Sequence, residues 1–274
     1  MTIVLRFIVV LAVFAAPCAA RGAEDVPFIT TPDNVTLAML EMAKVGKRDH
    51  VIDLGSGDGR IVITAAARFG ASGLGVELIP ELVRQSRESA KRAGVEARTE
   101  FREQDLFQTD LGKATVVTLY LLPEVNLQLR PKLLALKPGT RIVSHDWDMG
   151  DWKPDQTRTL PVPDKKVGYE KSSRVYLWIV PVRLDGEWCG TGSARGSRLV
   201  LRQNFQDLQG ELVDRGATKP FEGRIEGSAV RVTKSADERF ELMLSRKRLV
   251  LRYGTLPFSS QRALAFVKRK GASC

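Results

Sequence analysis

In VIDLGSGDGRIV, residues 51–62, Asp53 precedes three glycines at alternate positions, Gly55, Gly57 and Gly59. Glycines so placed let the chain turn tightly and bring bare backbone against a bound molecule. Gly59 and Arg60 open a helix whose N-terminal amides suit an anion, whereas Asp53, with Asp58 as a second candidate, suits a cation. The spacing is GxGxG, with arginine at position 60, so the third glycine of a pyrophosphate-binding GxGxxG turn is missing. Further along, Glu77 closes an apolar run that holds no cation, and a lone carboxylate there is better explained by a ligand than by packing. Asp105, in REQDLF, lies between a ligand contact and a solvated acid.

These residues fall where strands should end. Thr31 and Pro32 read as the cap and first turn of a helix closed by Gly46, and His50–Leu54 as a strand running into the glycine turn. RIVITAAARFG continues as a helix closed by Gly70. Strands at 73–78 and ending near Asp105 flank an amphipathic helix at 80–94. Residues 114–122 form a continuous apolar strand, 123–139 a helix kinked or broken at Arg130 by Pro131, and 140–145 a further strand. SSRVYLWIVPV, 172–182, closes the set. Strand alternating with helix gives a Rossmann-like doubly wound α/β sheet, whose ligands bind beyond the carboxyl ends of its strands. The polar stretch 148–166 is read as a connection, either a lid carrying Trp147 and Trp152 or a plain surface loop.

From Arg183 onward helical periodicity is absent, and short alternating runs broken by glycines predict five to seven strands in a small antiparallel barrel or sandwich. Trp188, Phe205, Phe221, Phe240 and Tyr253 are expected to fill its core. The predicted units are therefore 24–182 and 183–274, behind a segment 1–23.

The motif at 53–59 resembles motif I of the class I S-adenosylmethionine-dependent methyltransferases, and the resemblance continues in order. It implies that S-adenosylmethionine is the cofactor, that Glu77 accepts hydrogen bonds from both ribose hydroxyls and that Asp105 faces the adenine. Asp53 then stands near the donor's cationic groups. VPFITTP, the block DLGSGDGRIVI and the preceding hydrophobic segment are similar to bacterial relatives of the lysine methyltransferases that modify the ATP synthase c-subunit and adenine nucleotide translocase. Many methyltransferases of amino groups carry an Asn/Asp-Pro-Pro-aromatic motif after the fourth strand; TLYLLPEVN stands there instead, so the acceptor stays open between protein and small molecule. Methyl transfer needs alignment and desolvation more than many acting side chains. Tyr120 and His145 are the catalytic candidates, with Glu124, Asn126, Asp146 and Trp147 around the acceptor. Tyr120 is equally readable as core, Glu124 as a helix-start charge, and His50 as structural.

Residues 1–23 carry Arg6, an apolar stretch from Phe7 to Ala16, Pro17 and small residues, the pattern of a secretory signal peptide with an uncleaved anchor as the alternative. An exported or membrane-associated methyltransferase follows; the competing reading is an exported, non-catalytic binding protein on a methyltransferase-like domain. Removing Cys18 leaves Cys189 and Cys274, and a cysteine at the chain end, where chains fray, argues against a disulfide. Two histidines and no CxxC or HxxxH spacing argue against a metal site. The net charge of +10 lies entirely in residues 160–274, which hold 22 Lys and Arg against 12 Asp and Glu. That basic half suits an anionic partner or membrane surface, or serves as a solvated face.

Overall fold

The structure, a computed structural model, describes residues 29–166, 169–214, 216–234, 241–253, 264–269 and 274. The expected signal or anchor at 1–23 and Phe240 lie outside the described residues, as does the Tyr253 side chain.

The N-terminal part runs α1 (Asp33–Met42), β1 (His50–Leu54), α2 (Arg60–Phe69), β2 (Ser72–Glu77), α3 (Pro80–Arg92), β3 (Thr99–Glu103), β4 (Val116–Leu119), α4 (Pro123–Leu134), β5 (Arg141–His145), β6 (Gln156–Pro161) and β7 (Ser172–Ile179). The strands form one sheet in the order β3-β2-β1-β4-β5-β7-β6. β1–β5 pair in parallel, and β7 runs antiparallel to both of its neighbours, β5 and β6. Strands buried on both faces are nearly continuous in apolar residues, and β4 (VVTL) is buried throughout, its one polar side chain, Thr118, bonded to Asp53. One face packs Ile52, Val117, Leu119 and Ile142 under Leu129 and Leu133 of α4. The other packs Val51, Val116 and Val143 under Val35, Met39 and Leu40 of α1 and Ile61 and Ala65 of α2.

Three local expectations are corrected here. Thr31 does not cap α1, whose N-cap is Pro32 with no side-chain bond; its hydroxyl lies against His145 instead. α4 passes Pro131 without a break and ends at Leu134, with Leu129 and Leu133 on either side of the proline fully buried. The stretch 148–166 is not a plain loop, because Gln156–Pro161 adds β6 at the sheet edge.

The C-terminal part is a closed eight-stranded barrel, one strand more than the upper expectation: β8 (Gly186–Thr191), β9 (Arg198–Asn204), β10 (Asp207–Asp214), β11 (Ala217–Glu226), β12 (Ala229–Lys234), β13 (Glu241–Ser245), β14 (Arg248–Tyr253) and β15 (Ala265–Lys268). Closure removes free sheet edges. Trp188, Phe221 and Phe266 fill it with leucines and valines. Phe205, expected there, is directed elsewhere: the β9–β10 turn holds it at φ +52° and presents its ring to the α/β part, stacked on Trp152 and beneath the Arg130 guanidinium.

Cys189 on β8 and Cys274 form a disulfide with Cα atoms 5.3 Å apart, contrary to the expectation from the terminal position of Cys274. The bond ties the chain end to a strand. Four arginines of the basic half are engaged in ion pairs, Arg198 and Arg269 on Glu187, Arg231 on Glu226, and Arg224 on Asp207 and Asp155, which leaves the net excess in place.

Candidate active site

The loops beyond the carboxyl ends of β1, β2, β4 and β5 surround a cleft of about 740 Å³. Asp53, Gly55, Gly57, Glu77 and Asp105 line one half of it. Gly59 stands behind the loop as the left-handed N-cap of α2, at φ +79°, where an added Cβ would lie 2.6 Å from the Phe101 ring. Only glycine fits both the conformation and the contact.

Asp53 is 2% exposed and accepts from Thr118 Oγ1 at 2.7 Å. Burial pushes its carboxyl up to about 7; the Thr118 bond opposes that shift, and the negative Asp58 and Glu77 add to it. Glu77 is oriented by three backbone amides: Gly57 N donates to Oε2 at 3.0 Å, and Leu78 N and Ile79 N donate to Oε1 at 2.8 and 3.1 Å. Asp105 accepts from Phe107 N at 2.8 Å, capping the turn Leu106–Gln108 at the cleft's edge. Asp58 is engaged by Arg60 through Nη2 at 2.7 Å and Nε at 3.0 Å, which directs it away from the role of a ligand carboxylate. Arg60 also donates to the Thr31 carbonyl at 2.9 Å and so joins the glycine turn to the segment ahead of α1.

The other half is lined by Tyr120, Asp146, Trp147, Lys165 and Arg174. Tyr120 stacks on His145, with ring centroids 3.9 Å apart. Burial, with the negative Asp146 nearby, pushes the Tyr120 hydroxyl up to about 12, so it stays a proton donor at neutral pH. His145 does not line the cleft: it is 1% exposed beneath Tyr120, its Nδ1 3.2 Å from Thr31 Oγ1 and its Nε2 2.9 Å from Ser173 Oγ. Burial pulls it down to about 4 against the opposing pull of Asp146, which leaves a neutral imidazole.

Asp146, at φ +60°, accepts from Arg174 N at 2.9 Å and pairs with Lys165 Nζ at 2.8 Å. Trp147 is 41% exposed at the mouth. Asn126 is buried and donates to Ser144 Oγ and to the Trp147 and Asp148 carbonyls, each at 3.3 Å, fixing the turn after β5 from behind. Glu124 is exposed in the first turn of α4, outside the cleft lining. Trp152 is fully buried against Trp178 and Phe205 rather than placed over the cleft. Lys165 and Arg174 had no signal in the sequence, since the β6–β7 connection brings them in from a stretch read as surface. Among the described residues no group of three or more His, Cys, Asp or Glu could hold a metal ion.

A glycine turn, an acid at each of the first two strand ends and a capped turn at Asp105 on this strand order define a class I S-adenosylmethionine-dependent methyltransferase. Residues 53–156 match the family model of the ANTKMT methyltransferase domain. A protein-lysine N-methyltransferase of Saccharolobus islandicus is 41% identical over 157 residues, which are 57% of this chain and 94% of that protein. The mouse lysine N-methyltransferase of the ATP synthase c-subunit is 36% identical over 48% of this chain; the match spans 53% of its own length. A solved RNA methyltransferase of Salinibacter ruber, in complex with S-adenosyl-L-homocysteine, is 50% identical with a TM-score of 0.51, over 57% of this chain and 96% of that one. The chain belongs to this methyltransferase family, and S-adenosylmethionine is its methyl donor.

Proposed function

We propose that the chain methylates a lysine side chain of a protein, and that Asp146 receives the acceptor amine. The observation that carries this reading is a carboxylate set beside the Tyr120 hydroxyl in the acceptor half of the cleft, already holding an ammonium at 2.8 Å. When bound, the donor supplies a methyl group activated by its sulfonium. Asp53, Glu77 and Asp105 hold that molecule in one half, and the chain's remaining work is to orient the amine, exclude water and take its proton. Tyr120 is the proposed catalytic contact, and His145 positions its ring.

The names of the archaeal and mouse relatives favour lysine, and the name of the Salinibacter protein favours RNA. The mouth supports a protein. Leu78, Ile79, Phe107, Leu122, Trp147 and Tyr169 line it as exposed apolar side chains, whereas phosphate contacts need free cations. Of the three cations in the lining, Arg60 and Lys165 are held by aspartates, and Arg174 has Glu170 at 3.8 Å. The export expected from residues 1–23 is retained as part of this proposal, and the Cys189–Cys274 pair, of a kind that persists in oxidising compartments, is its support.

The experiment is transfer from tritiated S-adenosylmethionine to a protein extract and to total RNA of the source cells. Label lost to protease and recovered as methyl-lysine supports the reading; label lost only to ribonuclease sinks it. In the same assay Tyr120→Phe should lower turnover with donor affinity intact.

A further inference from the structure

Lys165 is a primary amine inside the acceptor half of the cleft, supplied by the chain itself. It lies between β6 and β7 with its side chain 15% exposed. A turn sets its backbone, Lys165 N donating to the Val162 carbonyl at 3.1 Å, and its own carbonyl accepts from Lys171 Nζ at 3.1 Å. Nζ is 2.8 Å from Asp146 Oδ2 and donates to the Ser172 carbonyl at 2.7 Å. An ammonium has three N–H donors, so one remains beyond these two oxygens. Tyr120, Trp147 and Arg174 line the same half. A buried ion pair serving the fold alone has no need to sit in the methyl-transfer cleft.

We propose that Lys165 is itself a methyl acceptor, modified in cis by the cleft it lines. The proposal rests on reading this site as an amine methyltransferase. In the step, Asp146 takes one proton from the Lys165 ammonium, and rotation about the Cε–Nζ bond turns the freed nitrogen lone pair into the open third direction, toward the donor. The Nζ–CH3 bond forms as the S–CH3 bond of the donor breaks, and that bonding pair stays on sulfur. The products are S-adenosylhomocysteine and an N-methylated Lys165 ammonium, with the abstracted proton passing from Asp146 to solvent. Methylation keeps the positive charge and removes a donor, so the ion pair to Asp146 survives while the hydrogen bonding around Nζ contracts. An acceptor built into the chain needs no encounter, so its modification proceeds without any other substrate.

The test uses the purified full chain with tritiated S-adenosylmethionine and no added acceptor. The digest is cut at acidic residues, and the peptide containing position 165 is read by mass spectrometry. Expected are one to three methyl groups on Lys165, at a first-order rate independent of protein concentration. The label disappears in Lys165→Arg and persists in Lys171→Arg, an amine outside the cleft lining; circular dichroism shows both variants folded. Calorimetry with S-adenosylmethionine on the same samples reads the cofactor site separately. Unmodified Lys165 in protein that binds the donor overturns the proposal and leaves the cofactor site standing. Label that survives Lys165→Arg, or a rate that rises with protein concentration, also overturns it. Failure to bind the donor removes the methyltransferase reading itself.

Discussion

At the scale of single residues, Asp53 and Glu77 carry different tasks that their surroundings assign. Glu77 receives three backbone amides, while Asp53 is buried with one hydroxyl and two negative neighbours. A carboxyl pushed up to about 7 is partly protonated at neutral pH, and a cationic donor beside it favours the charged form. Binding of S-adenosylmethionine at pH 7 should therefore release up to about half a proton, and donor affinity should rise with pH through that region. Calorimetry in buffers of differing ionisation heat reads the release directly. Asp53→Asn abolishes the proton release. An unchanged proton count in that variant would dismiss Asp53 as its source. With Glu77 as the proposed acceptor of the ribose hydroxyls, a charged contact worth roughly 1.5–3 kcal/mol, Glu77→Ala should lower donor affinity about 10- to 100-fold. Wild-type affinity in Glu77→Ala would remove the carboxylate from the cofactor site.

At the scale of elements, the glycine turn and the β5–Tyr120 stack depend on fits that sequence shows only in part. Gly59→Ala forces a Cβ onto Phe101 at a left-handed position, so thermal unfolding should report a loss of more than about 1–3 kcal/mol. Normal stability would mean that α2 and β3 separate without cost. His145 titrates the other way from Asp53. Its folded value, about 4, lies below the unfolded value near 6.5, so the unfolded chain takes up the proton first. The associated stability is present above pH 6.5 and is lost as pH falls toward 4, by about 3 kcal/mol at the limit. His145→Phe should flatten the stability profile over that window relative to wild type; parallel profiles would show that the imidazole titrates freely.

The half of the cleft proposed for the cofactor was legible as a cluster because its residues are local to strand ends, where Asp53, the glycines, Glu77 and Asp105 punctuate apolar runs. The acceptor half was not. Lys165 arrives from the β6–β7 connection and Arg174 from β7, and β6 is an exposed edge strand whose QTRTLP offers no alternation to read. His145 was found at the right strand end but on the covered side of Tyr120, a matter of packing that spacing alone does not determine. Pro131 shows the same limit from the opposite direction, since buried Leu129 and Leu133 hold a helix that local propensity would end.

At the scale of the whole molecule, barrel and sheet are joined through side chains that belong to neither core alone. Trp152 Nε1 donates to Gln206 Oε1 at 2.8 Å, Gln206 Nε2 donates to Asp155 Oδ2 at 3.0 Å, and Arg224 Nη2 reaches Asp155 Oδ1 at 2.8 Å. Phe205 lies over Trp152 at 6.0 Å between centroids. Asp155 also accepts from Ile179 N, at the end of β7, so one carboxylate links the sheet's antiparallel strand to the barrel. Gln206 and Trp152 are both buried, and separating the two parts would exchange their bond for bonds to water and expose the Trp152 and Phe205 rings. The two parts should therefore unfold together. Phe205→Ala takes away a partly buried ring and should cost roughly 2–4 kcal/mol. Its calorimetric trace should split into two transitions where the wild type shows one. The disulfide distinguishes the transitions: it closes 85 residues of the barrel, and its reduction should lower only the barrel's transition, by roughly 2–4 kcal/mol. A single transition in Phe205→Ala, or a reductant that shifts both equally, would show that the barrel and the methyltransferase sheet are coupled through contacts other than the β9–β10 turn.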